Sequence, residues 1–536
     1  MAQRNDSADV VVIGSGIVGA LAAERLAKQG MSVLILEAGP RMDRGQITAN
    51  YRNSPRKGDW VAPYAPGVPW APQPIFHPTP NGYLEQVGPE GYPAEYLRIV
   101  GGTTWHWAAH AWRVLPNDLK IKTLYGVGKD WPITYDDLEP FYYEAEVKMG
   151  VSGAPNTGSP RSKPFPMEPV VEPWAMRRVR ERLAVGGYKV VSNTTARNSR
   201  NYDGRPACCG NNNCQPICPI DAQYTGGIAV QAAERAGARV QENAVVYRIE
   251  HDPSGKKIVA VHYYDPNKNS YRVNGKIFIL AANGIESPKL LLLSASDKFK
   301  NGLANSSDMV GRHLMDHPSS SLTFDTDEEV WLGRGPQSPS SINTLRDGAF
   351  RSESAAFRLD FTNISQVRAV TEDLIKAGVY GSKLEEQMRY HAARQMNVKT
   401  VLEVLPQPEN RVTLSSNKDA LGIPTPRIYY SLDDYLHKGA AMGKIHFARI
   451  AELMGGTNLR YTPDKKYANN QHITGTLSMG DDPASSVVDK FGRSHDHENL
   501  FMCSTGVMPT AATVNSTLTG VALGLRTADH IQKTMA

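Results

Sequence analysis

Four of the five cysteines in this chain lie in one short run, at Cys208, Cys209, Cys214 and Cys218, with Pro219 after the last. Two internal disulfides are one interpretation, although the adjacent Cys208 and Cys209 would be crowded together. A structural zinc site usually contains C-x2-C pairs, and this run has none. An iron–sulfur cluster fits closely spaced thiolates that end in a Cys-Pro pair. The residues alone leave these three kinds of cysteine chemistry open.

A second motif, Gly14-x-Gly16-x-x-Gly19, follows an apolar run near the start of the chain. Gly14 permits a tight turn, Gly16 lets the backbone approach a pyrophosphate, and Gly19 allows a helix to pack closely on a strand. The N–H groups at the helix N-terminus can then bind phosphates. Glu37 follows at the end of the next strand, where a carboxylate can accept hydrogen bonds from ribose hydroxyls. Together these features predict a Rossmann-type dinucleotide site.

FAD and NAD share this fingerprint, and three features favour FAD. The motif lies at the extreme N-terminus, Glu37 is followed by Ala38-Gly39, and a later β-meander ends in the apolar segment 277–284. No second Gly-x-Gly-x-x-Gly motif for a nicotinamide is evident. We therefore predict that FAD binds here and that the electrons neither come from nor go to NAD(P).

The elements that position these residues are predicted from the periodicity of apolar side chains. Strands are predicted at Asp9–Ile13 and Val33–Glu37, with a helix at Gly16–Gln29 between them that stops at Gly30. Residues 243–280 are predicted to form a β-meander whose last strand is buried.

The C-terminal part of the chain contains one more predicted helix and the fifth cysteine. Residues 515–533 have apolar side chains at helical spacing, which predicts a final amphipathic helix. Cys503 lies in an apolar run and is interpreted as a core residue.

Length and charge restrict the class of protein. A chain of 536 residues is too long for one hydrophobic core, so two or more substructures are expected. The net charge of +5 is mild and no long basic run is present, which makes nucleic acid an unfavoured partner. No apolar run of membrane-spanning length occurs, and the chain passes directly into its first strand. We expect neither a membrane span nor an export signal of its own.

These observations predict an α/β fold with a Rossmann-type FAD-binding domain and a second, α+β domain. The FAD-binding domain is assigned to residues 1–45, 95–115, 226–320 and 466–536. The substrate-binding domain is assigned to residues 321–465. Residues 46–94 and 116–225 are predicted to be irregular, and the second of these segments includes the cysteine region 202–220.

Five segments together resemble the glucose–methanol–choline (GMC) oxidoreductase family. They are the N-terminal glycine motif, Gly101-Gly-Thr-Thr-Trp-His-Trp107, Ala282-Asn-Gly-Ile-Glu-Ser-Pro288, His472-Ile-Thr-Gly475 and the run from Val507 to Asn515. The resemblance covers nearly the whole chain and implies a GMC-like substrate-binding domain. The cysteine run is more specific and resembles the FAD subunit of bacterial membrane-bound dehydrogenases that act on glucose, fructose, gluconate or sorbitol.

The resemblance implies that a hydroxyl-bearing carbon of a sugar, polyol or sugar acid is oxidised by hydride transfer to flavin N5. His472 would be the base that takes the hydroxyl proton, because a neutral imidazole suits that role. Asn515, at the start of the final helix, would hold the substrate oxygen, and a helix N-cap is its alternative role. Gln471 replaces an expected asparagine, so its side chain is a candidate substrate contact.

The remaining cofactor residues follow from the same resemblance. With Gly14, Gly16, Gly19 and Glu37, the predicted FAD-binding residues are Gly101, Gly102, Thr103, His106, Trp107, Val246, Asn283 and Thr517. His106 lies where some family members attach FAD covalently, and the alternative is that its ring packs beside the flavin.

For the cysteines, the resemblance favours a [3Fe–4S] cluster. Cys208, Cys214 and Cys218 are the predicted ligands, since their wider spacing can enclose a cluster. Cys209 would then face outward, where it could form a disulfide with a partner subunit.

The resemblance also implies partners and a location. A small companion subunit would carry the export signal, and a multihaem cytochrome c subunit would accept the electrons and provide the only membrane contact. The complex would lie on the periplasmic side of the bacterial inner membrane.

Three other functions are alternatives to the dehydrogenase. They are a pyranose-type sugar oxidase that uses oxygen and has structural cysteines, a lyase, and a subunit without activity.

Overall fold

The computed structural model describes residues 5–55, 62–64, 67–74, 82–155 and 157–535, and these ranges contain sixteen strands and eleven α-helices. The strands are β1 (Asn5–Ile13), β2 (Val33–Leu36), β3 (Glu85–Gln86), β4 (Val190–Ser192), β5 (Arg239–Gln241), β6 (Val245–His251), β7 (Ile258–Tyr264), β8 (Ser270–Leu280), β9 (Ser321–Asp325), β10 (Ser340–Ile342), β11 (Phe357–Phe361), β12 (Gln395–Leu402), β13 (Arg411–Lys418), β14 (Pro424–Tyr429), β15 (Thr457–Tyr461) and β16 (Leu500–Met502). The helices are α1 (Ile17–Ala27), α2 (Arg44–Asn53), α3 (Ile121–Tyr125), α4 (Tyr135–Met149), α5 (Trp174–Val185), α6 (Gly226–Arg235), α7 (Asn283–Leu293), α8 (Val367–Lys376), α9 (Gly381–Arg394), α10 (Asp434–Leu453) and α11 (Thr517–Met535).

The first sheet has the strand order β5-β2-β1-β8-β7-β6. β1 pairs in parallel with β2 on one side and with β8 on the other, and the side chains of its apolar run are buried. The first half of β8 continues into the antiparallel meander with β7 and β6, and its last three residues pair in parallel with β16. The predicted strands and meander are confirmed, and they form the Rossmann-type part of the fold.

The second sheet is antiparallel throughout, in the order β15-β9-β12-β11-β10-β4. Helices α5 and α10 pack on it, and their shared core includes Phe357, Phe361, Val398 and Phe447. A third, small sheet joins β13, β14 and β3. The predicted combination of a Rossmann-type part with an α+β part is present.

Segment 116–225 is not irregular throughout, which corrects the prediction. It contains α3, α4, α5 and β4, and β4 is an edge strand of the second sheet. Helix α4 has local signals that predict a helix, since Thr134 and Asp137 form a capping box and Gly150 ends it in a left-handed conformation. Similarly, α2 occupies the start of segment 46–94.

Two predicted helix boundaries also shift. The first helix spans Ile17–Ala27, and Gly30 follows with a φ of +85°. The final helix begins at Thr517 rather than at Asn515, because the carbonyl of Ser516 accepts the first intrahelical hydrogen bond, from the N–H of Gly520. Within the described ranges, no helix combines the length and the apolar character that crossing a bilayer requires.

Candidate active site

The glycine motif forms a turn that touches the backbone of β8's C-terminal end. Gly14 has a φ of +100°, and a Cβ there would lie 2.7 Å from the carbonyl oxygen of Ala281. A Cβ on Gly19 would lie 2.6 Å from the carbonyl oxygen of Gly14. A Cβ on Gly16 would meet no atom within 4 Å, because Gly16 faces open space. Gly14 and Gly19 therefore permit close packing, and Gly16 leaves room for a ligand to approach the backbone.

Glu37 joins the two sides of this turn. Its buried carboxylate accepts hydrogen bonds from the N–H (3.0 Å) and the hydroxyl (2.6 Å) of Ser15 and from the N–H of Gly39 (3.1 Å). Burial raises the pKa of this carboxyl group. The Ser15 hydroxyl oxygen also accepts a hydrogen bond from the N–H of Gly101 (3.0 Å). Glu37 and Ser15 thus bring the segment 101–107 against the glycine motif.

Two cavities meet at this turn. The smaller, about 130 Å³, is lined among others by Gly14, Gly16, Glu37, Gly102, Thr103, Val246 and Asn283. The larger, about 400 Å³, is lined among others by Gly16, Thr103, His106, Trp107, Asn283, His472, Asn515 and Thr517. Gly16, Thr103 and Asn283 line both, so the cavities are neighbouring parts of one elongated cleft. Its shape and its glycine turn fit FAD, with the nucleotide half in the smaller cavity and the flavin in the larger one. Gly19 and Gly101 line neither cavity and contribute through the packing described above.

The two predicted catalytic residues lie in contact on the wall of the larger cavity. Asn515 Nδ2 is 2.7 Å from His472 Nε2, although 43 residues separate them in the chain. The side-chain oxygen of Asn515 accepts a hydrogen bond from Arg358 Nη2 (2.9 Å). Because a guanidinium can only donate, the amide oxygen of Asn515 must face Arg358 and the amide N–H must face His472. Asn515 is therefore not the N-cap of α11, and it precedes the capping position by one residue.

A third residue of this group, His317, was not identified from the sequence. Its Nε2 lies 2.9 Å from the carbonyl oxygen of Ala512, and its Nδ1 lies 3.0 Å from Nδ1 of His472. The carbonyl can only accept, so His317 Nε2 carries the proton and the neutral ring accepts at Nδ1. His472 must then carry its proton on Nδ1, which leaves the lone pair of Nε2 on the side of Asn515.

The electrostatic surroundings keep both rings neutral. Burial lowers the pKa of His472 well below its ordinary value, and the charges of Arg358 and Lys399 and the neighbouring His317 act in the same direction. Burial likewise lowers the pKa of His317 to about 4. At neutral pH His472 is therefore an unprotonated base whose tautomer is set by its neighbours.

The second sheet supplies further polar side chains to the lining of the cavity. On β11, Arg358 donates to both oxygens of Asp360, at 2.7 and 2.9 Å, and both side chains are buried. On β12, Lys399 donates to the amide oxygen of Asn470 (2.9 Å), and burial lowers the pKa of this lysine. None of these residues was predicted, since the sequence contains many lysines and arginines without a motif.

Asp316 positions the loop that carries His472. Its carboxylate accepts hydrogen bonds from the backbone N–H groups of His317 (2.7 Å), Gln471 (3.1 Å) and His472 (2.8 Å). Within the described residues, Asp316, His317 and His472 are also the one group with three ligand atoms close enough to hold a single metal ion. Their hydrogen bonds already engage these atoms, so we assign the group a positioning role.

Gln471 lines the larger cavity, but its side chain is engaged elsewhere. Its amide N–H donates to the carboxylate of Glu95 (2.7 Å), and its φ of +60° is unusual for glutamine. A direct contact of this side chain with substrate stays a prediction.

The four clustered cysteines differ in burial. Cys214 and Cys218 are buried, Cys208 is half-buried and Cys209 is exposed, and all are free thiols. Burial raises the pKa of the Cys208 thiol, and the proximity of Cys214 and Cys218 adds to this. In the described part of the chain, the three sulfurs are not close enough together for one metal ion, whose zinc–sulfur bonds would place them roughly 4 Å apart. The iron–sulfur cluster at these three cysteines stays a prediction.

Hydrogen bonds attach the cysteine loop to the wall of the larger cavity. Gln215 donates to the carbonyl of His106 (2.9 Å), and Gln223 donates to the carbonyls of Trp107 (2.7 Å) and Cys214 (3.3 Å). Cys214 itself lines the cavity. The predicted flavin and cluster sites are therefore neighbours. Cys503, as predicted, is a buried core residue.

Comparison with known proteins defines the class. Family models described as GMC oxidoreductase match residues 183–319 and 406–524, and a model described as FAD dependent oxidoreductase matches residues 9–119. With the cleft described above, these matches define an FAD-dependent oxidoreductase that acts on CH–OH groups. The chain belongs to the GMC oxidoreductase family, as predicted.

Individual relatives support this membership. The chain is 48% identical, over 99% of each chain, to the fructose dehydrogenase large subunit of Gluconobacter japonicus. It is 27% identical to the 2-methyl-1,2-propanediol dehydrogenase of Mycolicibacterium austroafricanum, over 99% of this chain and 96% of that one. A solved formate oxidase of Aspergillus oryzae RIB40 has the same fold, with a TM-score of 0.69, 16% identity, and coverage of 100% of this chain and 99% of that one.

Proposed function

We propose that this chain is the FAD-carrying subunit of a dehydrogenase that oxidises a hydroxyl-bearing carbon of a sugar, a polyol or a sugar acid. Fructose is the first substrate to test, because a relative that is 48% identical is named a fructose dehydrogenase large subunit. The observation that carries the proposal is the contact between His472 and Asn515 in the same cleft as the Gly16 turn.

When bound, FAD supplies the hydride acceptor, flavin N5. The protein's part is to remove the hydroxyl proton and to hold the oxygen. Without substrate, the lone pair of His472 Nε2 accepts from Asn515 Nδ2. When the substrate hydroxyl takes the place of that contact, the lone pair accepts its proton, and the amide of Asn515 can donate to the substrate oxygen. Arg358 and Lys399 favour negative charge on that oxygen, because both cations line the same cavity.

The remaining FAD residues keep the roles assigned from the sequence. We propose that Glu37 binds the ribose, that Val246 and Asn283 line the nucleotide half, and that Thr517 lies beside the flavin. His106 is buried on the cavity wall, and burial lowers its pKa to about 4, so its neutral ring suits either covalent attachment to FAD or packing beside the flavin. Residues 321–465 act as the substrate-binding domain, because they contribute Arg358 and Lys399.

We further propose that Cys208, Cys214 and Cys218 bind a [3Fe–4S] cluster, which supplies a one-electron acceptor next to the flavin. Their mutual proximity and the position of Cys214 on the cavity wall support this ligand set. The electrons would leave to a multihaem cytochrome c subunit at the periplasmic side of the inner membrane, and a small companion subunit would carry the export signal. The name "large subunit" of the Gluconobacter relative supports the existence of other subunits.

The test is anaerobic mixing of the purified complex with fructose while flavin absorbance is followed. We expect rapid flavin bleaching in the wild type and a loss of at least a hundredfold in rate for His472→Gln, roughly the contribution of a general base. His437→Gln is the matched control, since His437 lies on α10 and bonds Tyr467. Equal rates in the two variants would overturn the assignment of His472. Stoichiometric hydrogen peroxide in iron-free enzyme would favour the oxidase alternative.

A further inference from the structure

Arg197 is a buried cation between the active-site cavity and the cysteine loop. Its side chain is 2% exposed and lines the larger cavity together with Cys214. Its backbone pairs with that of Gln223, and the carbonyl of the next residue, Asn198, accepts a hydrogen bond from the N–H of Cys208 (2.9 Å). Arg197 thus borders both of the proposed redox sites.

The hydrogen-bond partners of this guanidinium are neutral. Arg197 Nη2 donates to the side-chain oxygen of Gln223 (2.7 Å) and to the carbonyl of Ala108 (3.4 Å). Among the described residues, no carboxylate forms an ion pair with it, whereas Arg358, which lines the same cavity, is paired with Asp360. A buried cation without a negative partner is costly, so a negative group outside the polypeptide is expected nearby.

The cysteine loop offers that negative group. Hydrogen bonds at both ends fix the side-chain amide of Gln223. Its oxygen accepts from Arg197, and its nitrogen donates to the carbonyl of Cys214. This arrangement holds the guanidinium at the edge of the loop. The N–H of Cys208 donates to the carbonyl of Asn198, the residue next to Arg197 (2.9 Å), and Cys214 lines the same cavity as Arg197. Three cluster-bound thiolates would bring several negative charges to the same place.

We propose that Arg197 tunes the reduction potential of the cluster bound by Cys208, Cys214 and Cys218. This inference rests on the proposed function, since it requires the cluster. A fixed positive charge stabilises the more negative, reduced form, and net charge is one of the determinants of iron–sulfur potentials. Arg197 therefore favours transfer of each electron from the flavin side to the cluster.

The test is a potentiometric titration of the purified complex, in which the electron paramagnetic resonance signal of the oxidised cluster reports its midpoint potential. Arg197→Met removes the charge, and we expect the flavin-to-cluster equilibrium to become about tenfold less favourable, a shift of about 59 mV to lower potential. Arg197→Lys keeps the charge and retains a potential close to that of the wild type. Gln223→Glu keeps Arg197 but places a carboxylate beside its guanidinium, so the two charges offset each other. We expect it to shift the cluster potential in the same direction as Arg197→Met.

The outcomes separate this inference from the proposed function. If the wild-type protein contains no iron and gives no signal, the cluster is excluded. The proposed electron path through the cluster and the role of Arg197 would then both be wrong. A normal wild-type signal with unchanged cluster potentials in Arg197→Met and Gln223→Glu would overturn the role of Arg197 alone. The variants could instead leave the cluster potential unchanged and shift the flavin potential or KM for the sugar. Arg197 would then act on the flavin or on the substrate, and its proposed role at the cluster would be wrong. If Arg197→Met fails to assemble, Gln223→Glu decides the question.

Discussion

The Nδ1 atoms of His317 and His472 face each other at 3.0 Å. Since Ala512 fixes the proton of His317 on Nε2, this contact selects the tautomer of His472 in which Nε2 is unprotonated and accepts from Asn515 Nδ2. A residue 155 positions away in the chain thus decides which nitrogen of the predicted base can react.

Substitution of His317 tests this selection. We expect His317→Leu to slow flavin reduction by fructose roughly a hundredfold, because His472 loses the acceptor that holds its proton on Nδ1. His317→Asn recovers much of the rate, since an asparagine oxygen can occupy the place of Nδ1. The measurement is anaerobic stopped-flow absorbance on variants with equal FAD content. A rate for His317→Leu equal to that of the wild type would contradict the assignment.

The pH dependence of flavin reduction follows from the low pKa of His472. The reactive form is the neutral ring, and burial lowers its pKa well below 6.5. The rate of flavin reduction is therefore expected to stay constant from about pH 8 to about pH 6 and to fall only at lower pH. The same stopped-flow experiment across this range checks it, and an inflection near pH 6.5 would speak against a buried base.

Buried histidines also make stability depend on pH. Burial lowers the pKa of His110 to about 3 and the pKa values of His106 and His317 to about 4. Below about pH 6.5 the unfolded chain binds protons that the folded protein does not, so the free energy of unfolding falls with decreasing pH. Well below pH 6.5, each group contributes about 1.4 kcal/mol per pH unit until its folded-state pKa is reached.

Urea unfolding at about pH 7 and about pH 5.5 measures this effect, because few exposed carboxylates titrate in that window. We expect a lower midpoint at the lower pH and a shallower dependence for His110→Phe, which removes one of the groups. A midpoint that rises on acidification would contradict this expectation and would show that buried carboxyl groups with raised pKa values, such as Glu37 and Asp316, outweigh the histidines.

The proposed ligands of the proposed cluster can be tested with single serine variants. Cys214→Ser removes a buried thiol, and we expect it to lose the three-iron signal and most of the iron. Cys209→Ser changes an exposed thiol and is expected to keep both. Electron paramagnetic resonance with iron and FAD quantification makes the comparison. Retention of a full signal in Cys214→Ser would exclude that residue as a ligand.

The exposed Cys209 leads to a separate prediction about assembly. At the proposed periplasmic location, which is oxidising, it is expected to form a disulfide with the proposed partner subunit. Electrophoresis of the complex without reductant should show a larger species that disappears with reductant and in Cys209→Ser. Identical mobility with and without reductant would rule the disulfide out.

Local features of the fold were predictable because the signals lie close together in the chain. The turn at Gly14, Gly16 and Gly19 needs only a neighbouring strand and helix, and the meander needs only alternation between turns. The same reasoning failed in segment 116–225, where helix α4 is present despite the surrounding proline- and glycine-rich sequence. His472 and Asn515 were identified by motif resemblance rather than by physical pattern.

What the sequence by itself determined is therefore the set of short-range elements, the FAD fingerprint and the family motifs. Only the tertiary structure decided which side chains meet: His317 with His472, Arg358 with Asn515, and Arg197 with Gln223. These contacts depend on the pairing of distant strands and on hydrogen bonds between loops far apart in sequence. The burial that results sets the pKa values, and neither contact nor burial has a periodic signature along the chain.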